Sequence, residues 1–414
     1  FQQFTQGSGY KSFDYYSAGV NVLIDKFLPR RDWLNQLKWR GSWSVVGNPI
    51  PNTLFARQSY DFSNGTISTR PPLFDDPQPE TTTSFETGLD VWMFENKFNF
   101  DLTYYNSTLR NQFLYVTTAN GESKPVNTGK IRNYGLEFQA SYRWNINKDW
   151  RWQTGFNIAW NDNRILETYK TESGAPYEVQ MGPNAFKIKY VEGGRYGDIY
   201  VNSFARDENG HIKINDAGNY ENAVPVMASG KYETKVGNMT SPVTLGWNNT
   251  FTWKNFTLYF LIDGRIGGKV MSLTEADLDL YGLSERSAQD RLNGERVMQN
   301  GKEYILKPLP DGSGNKVSVE NYYTTIGALP MEDHVYNATS LRMRDISLSY
   351  DMPNLFGKNQ GMTAQFSVKN AFFIYKDSPV DPDISVSAAN GYSGIDCYSL
   401  PTTRSFALTL KFNF

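Results

Sequence analysis

The final ten residues, Ser405-Phe-Ala-Leu-Thr-Leu-Lys-Phe-Asn-Phe414, alternate without a break. In an extended chain successive side chains point to opposite faces. Phe406, Leu408, Leu410, Phe412 and Phe414 therefore share one face, and Ala407, Thr409, Lys411 and Asn413 the other. The first face suits hydrocarbon and the second suits water. At about 3.3 Å per residue and a tilt of about 45°, such a segment crosses about 25 Å, the height of the apolar band of an outer-membrane barrel. The stretch reads as a membrane strand ending on an aromatic carboxy-terminus.

Period-2 segments of this kind recur at roughly 13–25, 37–46, 84–95, 98–113, 131–144, 150–163, 243–253, 256–270, 340–351, 362–374 and 404–414. They run about ten to fifteen residues, whereas strands of soluble domains usually run about 5–6. The predicted fold class is all-β: a transmembrane antiparallel β-barrel with about eleven strands in this chain.

Connections alternate in size. Short ones are expected at Glu95-Asn96-Lys97, Asn145 to Asp149, Lys254-Asn255 and Pro353 to Gly361, and long ones at about 47–83, 164–242, 271–339 and 375–403. Outer-membrane barrels have short periplasmic turns and longer external loops, so the long connections are expected outside, with the last strand finishing in the periplasm. Eleven antiparallel strands start and end in the same direction, and bacterial single-chain barrels have even counts. The chain also opens on Phe1 with neither an initiator Met nor a charged and apolar leader. The reading therefore places these 414 residues as the carboxy-terminal half of a roughly 22-stranded barrel, with the plug domain and amino-terminal strands outside this sequence.

Aromatic residues near predicted strand ends, namely Trp39, Trp43, Trp92, Tyr104, Tyr105, Trp144, Trp150, Trp152, Trp160, Trp247 and Trp253, are expected to form interface girdles. A formal charge of -2 with scattered Lys and Arg gives no electrostatic case for nucleic acid. No run of eighteen apolar residues predicts a membrane helix, and the mean hydropathy of -0.53 does not speak against a barrel. Cys397 is the single cysteine, which leaves no intrachain disulfide and no cysteine-based zinc site.

Several stretches resemble the SusC/RagA-type TonB-dependent transporters of Bacteroidota. Gly41-Ser-Trp-Ser-Val-Val-Gly47-Asn48 resembles that family's strand ending in Gly-Asn, and Glu80 to Asp90 (ETTTSFETGLD) its "E-x-T-x-S-x-E-x-G-x-D" strand. Asn127 to Phe138 (NTGKIRNYGLEF) is similar to the "N-x-G-x-I-x-N-x-G-x-E" hairpin, and Gly237 to Gly268 to the "G-N-x-x-P … D-G-x-x-G-G" stretch. Ser340 to Pro353 (SLRMRDISLSYDMP) resembles the late "L-R-L-R" strand, Asn370 to Asp383 the run ending in Asp-Pro, and Pro401 to Phe414 the terminal strand. The resemblance implies active import of bulky nutrients, glycan or peptide, through a plugged barrel in the outer membrane. It also implies a SusD-like surface lipoprotein as lid and a TonB–ExbB–ExbD energising complex acting through the missing amino-terminal part. A terminal aromatic strand resembles the signal read by barrel-assembly machinery, which assigns that role to Phe406, Leu408, Leu410, Phe412 and Phe414. A passive porin or structural barrel is the alternative.

Neither a cofactor nor enzymatic activity is expected. His211 and His334 are the two histidines, both in predicted loops, and no Ser, His and acid arrangement accompanies them. Asp207 to Asp216 (DENGHIKIND) offers alternating oxygen ligands, yet it lacks the spacing and closing Glu of a calcium loop, and a hairpin tip accounts for it. Asp311-Gly-Ser-Gly-Asn-Lys316 departs from phosphate-loop spacing and reads as a turn. Gly129, Gly135, Gly264, Gly267 and Gly268 lie inside strand patterns and are expected at bends or bulges. Residues 275–300 carry helical character for a loop helix, and Tyr322, Tyr323 and Tyr392 are candidates for stacking on sugar rings.

Overall fold

The computed structural model describes residues 2–6, 9–13, 15–48, 60–63, 66–69, 78–117, 123–171, 173–181, 186–328, 332–358, 360–383 and 394–413. Phe414 and Tyr392 lie outside the described residues.

Eleven long strands form one sheet: β1 (Tyr16–Leu23), β2 (Leu34–Asn48), β3 (Glu80–Met93), β4 (Phe98–Arg110), β5 (Lys130–Asn145), β6 (Trp150–Glu167), β7 (Val243–Trp253), β8 (Phe256–Ile266), β9 (Ser340–Gly357), β10 (Gln360–Lys376) and β11 (Ser405–Asn413). Each pairs antiparallel with its neighbours in sequence, so the sheet is an up-and-down meander with β1 and β11 at its edges. All eleven period-2 segments of the sequence coincide with these strands.

At one end the links are tight. The β3–β4 turn places Phe94, Glu95 and Asn96 at φ of 53°, 58° and 64°, and Lys254 opens the two-residue β7–β8 link at φ 51°. β1 reaches β2 through a 3₁₀ turn, Ile24–Phe27, where Asp25 accepts a 3.0 Å bond from the Leu37 amide. That bond, assisted by Lys26, holds the Asp25 carboxyl below its usual range. The link expected over Pro353 to Gly361 is tighter than the sequence suggests: both strands continue past Pro353, and Gly357 pairs with Gln360. At the other end the connections are long and include one the sequence reading overlooked. Between β4 and β5 the chain makes a further hairpin, Phe113–Thr117 with Ser123–Asn127, whose five-residue strands lack the length that betrays the wall.

The two faces of the sheet differ as the alternation requires. Paired positions carry Trp152, Phe251, Leu258, Leu348, Phe366 and Leu408 across six consecutive strands on one face. Nothing in the described residues covers them: Leu408 is 71% exposed and Phe366 50%. The opposite face carries Asn99, Ser141, Gln153, Thr250, Thr257 and Ser349. A soluble sandwich would bury the apolar face against a second sheet. Here the apolar core among the described residues lies in the long connections instead. One cluster joins Ile131 and Ile165, at the ends of β5 and β6, to Phe186, Ile188, Ile199, Val201, Met271 and Ile395. A second joins Phe204, Ile212 and Ala223 to Leu309, Val317, Tyr322 and Ile326. Burying each large apolar side chain contributes about 1.5–3 kcal/mol, so these connections hold themselves together as a cap on one end of the sheet.

Candidate functional site

Charged groups on the polar face are arranged in cross-strand relays. Lys38 on β2 pairs with Asp90 on β3 at 2.8 Å. Arg40 stands opposite Gly88, and with no side chain in the way it passes over β3 to Asp101 on β4, its Nη2 donating to Oδ1 at 2.7 Å. A Cβ at Gly88 would lie 2.9 Å from the Arg40 guanidinium carbon. Further along the face an open hollow of about 550 Å³ is lined by Trp92, Asn99, Gln139, Ser141, Asn157 and Asn248. Amides and hydroxyls dominate it, with Lys97 and Arg143 also on its lining, so it offers hydrogen bonds to water or to a polar solute.

Near the long connections the polar face ends in a denser cluster. Arg344 on β9 donates to Asp263 on β8 and to Asp383 at 2.7 Å, while Arg342 pairs with Asp381 at 2.5 Å and lies 3.4 Å from Asp383. Arg265 pairs with Asp383, and Thr402 donates to Asp381. Three arginines of the wall thus face three aspartates, two of them from the last long connection. Burial pushes the Asp383 carboxyl up, but Arg344, Arg265 and Arg342 outweigh it and hold the carboxyl below its usual value. Only 4% of the Arg342 side chain is exposed; Asp381 accepts from its Nη2, while Nε and Nη1 have no hydrogen-bond partner among the described residues. Sequence reasoning missed the cluster, although its signal was present: Leu341-Arg-Met-Arg344 puts two arginines two residues apart, and Asp381-Pro-Asp383 supplies their partners.

The cap is built on three helices. The region expected to be one helix over 275–300 is two, α1 (Leu273–Leu280) and α2 (Glu285–Asn293), separated at Tyr281 to Ser284, with Glu295–Gln299 a strand paired to Lys302–Pro308. A third, α3 (Val319–Ala328), was not expected, because its Val, Tyr and Thr residues favour strands. Ser272 caps α1 by accepting from the Glu275 amide at 3.0 Å, and its hydroxyl donates to Asp396 at 2.6 Å. Ser284 caps α2 through the Ser287 amide. The Asp279 carboxylate, fully buried, organises all of this: it accepts from Ser284 at 2.5 Å and from Arg286 Nε at 3.1 Å, and pairs with His334 Nε2 at 2.8 Å. Burial raises its pKa, and the bonds from His334, Arg286 and Ser284 together bring it below the ordinary carboxylate value.

Tyr322 and Tyr323 are buried on α3, donating to Asp333 and Asp290, and so cannot stack on a solute; the expectation placed them in an exposed loop because the helix was not recognised. Asp207 closes its own turn, its carboxylate accepting the Asn209 and His211 amides at 2.9 Å, with Gly210 at φ 83°. Asp311 caps the Ser313 turn in the same way and accepts the Ile212 amide; its pKa falls to about 2 because these bonds outweigh burial. No group of three or more potential metal-ligating side chains comes together among the described residues. Trp92 and Tyr105 fall on the polar face, Tyr105 donating none of its surface to a girdle but accepting from Asn161 at 2.6 Å. Trp150, Trp253, Phe256 and Tyr350 do form a continuous aromatic band near the tight turns, with centroids 5.6, 6.0 and 4.5 Å apart. Phe406, Leu408, Leu410 and Phe412 are exposed on the apolar face of β11.

A meander of long strands, apolar on one face, polar on the other and capped at one end, defines a segment of transmembrane β-barrel wall. The chain belongs to the family described as TonB dependent receptor-like, beta-barrel, which matches residues 1–260. It is similar to the TonB-dependent receptor SusC of Bacteroides thetaiotaomicron, at 24% identity over all of this chain and 41% of that protein. It is also similar to the TonB-dependent receptor P3 of Formosa agariphila, at 23% identity over 99% of this chain and 42% of that protein. Among solved structures, the RagAB peptide transporter superimposes with a TM-score of 0.67 at 17% identity, over 97% of this chain and 43% of that one. The chain therefore spans about two fifths of the length of the relatives it matches. Family and fold imply an outer-membrane location.

Proposed function

We propose that this chain forms the carboxy-terminal part of a TonB-dependent importer of bulky nutrients, glycan or peptide, with its long connections on the cell exterior. The observation that carries the reading is the cap. Two connections, 168–242 and 267–339, fold around shared buried cores and reach the wall through Ile131 and Ile165. A passive pore has no need of so large an ordered structure at its mouth, whereas a receptor that captures a substrate before admitting it does. The polar lumenal face below then offers amide and hydroxyl groups along a path lined by paired charges.

In this reading the exposed cap meets a SusD-like lipoprotein, and the energising TonB–ExbB–ExbD complex acts through parts of the protein beyond this chain. The terminal strand, Phe406 to Phe414, serves as the signal for barrel assembly. The test is accumulation of the ligand that co-purifies with the intact protein, identified by mass spectrometry and then supplied in labelled form to cells. Loss of accumulation on TonB deletion supports energised import; unchanged accumulation means a passive porin.

A further inference from the structure

On the apolar face, the ends of β4, β5 and β6 nearest the long connections carry four cations in two directly opposed pairs: Arg110 opposite Lys130, and Arg132 opposite Arg164. Like charges opposed across a ladder destabilise it. Two carboxylates answer part of this charge, Glu167 at 3.3 Å from Lys130 and Asp162 at 3.9 Å from Arg164, but Asp162 is shared with Arg195. No ion-pair partner for Arg110 or Arg132 is found among the described residues. Arg132 is instead positioned, its Nε donating to Asn106 at 3.0 Å and its guanidinium 5.0 Å from the centre of the Tyr134 ring.

The height of the quartet identifies what it meets. Tyr134 lies one step nearer the centre of the wall than Arg132, and Trp160, edge to face with it at 5.7 Å, lies two steps nearer than Arg164; aromatic rings of this kind settle at the membrane interface. Arg132 and Arg164 then stand at headgroup level. The Arg132–Arg164 row is charged on β5 and β6 and not on the next three strands, where it continues to Thr108, Thr83 and Val45. We propose that the quartet binds the phosphorylated headgroup of an outer-leaflet lipid, with Tyr134, Trp160 and Leu136 supporting the acyl chains beneath it. A lipid fits better than free phosphate because the cations border an exposed apolar surface, of which Leu136 is 42% exposed. Arg presents paired donors to phosphate oxygens. The inference rests on the outer-membrane placement proposed above.

The experiment uses the intact protein in detergent, with native mass spectrometry of retained lipid A in phosphorylated and dephosphorylated forms. Wild type should retain the phosphorylated form preferentially, and Arg110→Gln/Arg132→Gln should lose that preference on the order of ten-fold. Lys411→Gln, on the lumenal face, should leave it unchanged. Equal retention of the two forms, an unaltered double variant, or complete displacement by equimolar inorganic phosphate would each overturn the proposal. Heat-modifiable migration is measured on every variant: its retention in the double variant assigns the loss to the site, and its absence in wild type would overturn the barrel placement and this inference with it.

Discussion

Tyr105 lies across Gly135, the residue opposite it on the adjacent strand, and reaches over it to Asn161 on the strand beyond. A Cβ at Gly135 would sit 2.5 Å from the Tyr105 hydroxyl oxygen and 2.5 Å from the Trp160 carbonyl oxygen. Arg40 crosses Gly88 in the same manner to reach Asp101. Glycine on the lumenal face thus clears a lane for a long polar side chain to tie together three strands.

Gly135→Val should therefore destabilise the barrel by about 1–3 kcal/mol or more, because the carbonyl of Trp160 belongs to the backbone ladder and cannot move aside. Tyr105→Phe, which removes one hydrogen bond and keeps the ring, should cost about 1 kcal/mol. Urea titration followed by heat-modifiable migration measures both; equal effects would show that the lane has no steric role.

The two faces of β11 should respond differently to charge. Leu408→Arg places a cation on the lipid-facing row with Phe366 and Leu348, and should cost about 2–4 kcal/mol if that row is near the midplane. Lys411→Ala on the lumenal face should change stability little. Folding into lipid vesicles monitored against denaturant compares them.

The Asp279 cluster makes the cap sensitive to acid. Its carboxyl titrates below the ordinary value in the folded protein, so the stability it contributes is fully present above about pH 4 and is lost as pH falls through the folded pKa. Glu275 has the opposite sign: burial and Asp279 raise its pKa, so protonation strengthens the cap as pH falls, and Glu275→Gln should be neutral or stabilising at pH 7. Asp279→Ala leaves Arg286 and His334 without their acceptor and should loosen α1 and α2 by about 3–5 kcal/mol. Amide hydrogen exchange over residues 273–293 reports all three.

The last long connection should be released by Asp381→Ala, which strands the buried Arg342 guanidinium at a cost of about 3–5 kcal/mol. Added protease should then cut between 377 and 404 in intact cells far faster than in wild type. Unchanged cleavage would mean that the cluster does not anchor that segment.

The wall was legible in the sequence because each strand must satisfy lipid on one side and water on the other, and that demand writes period 2 over ten or more residues, as in Phe406 to Phe412. The cap was less legible because its core obeys no such period. Tyr322 and Tyr323 look like loop aromatics until α3 and its packing against Phe204 are known. Gly135 looked like a bulge signal, but its ladder is regular on both sides, and the need for glycine comes from Tyr105, thirty residues away in sequence. Arg342 and Arg344 showed an alternating charge pattern whose partners, Asp381 and Asp383, can be assigned only once the chain is folded.

The most direct test of the account is aqueous thiol labelling of single cysteines introduced along β11, in the intact protein with Cys397→Ser, in lipid. Positions 405, 407, 409 and 411 should react with a membrane-impermeant reagent, and 406, 408, 410 and 412 should be protected. Uniform reactivity, or the reverse alternation, would contradict a wall whose apolar side chains face lipid and whose polar side chains face a wet lumen.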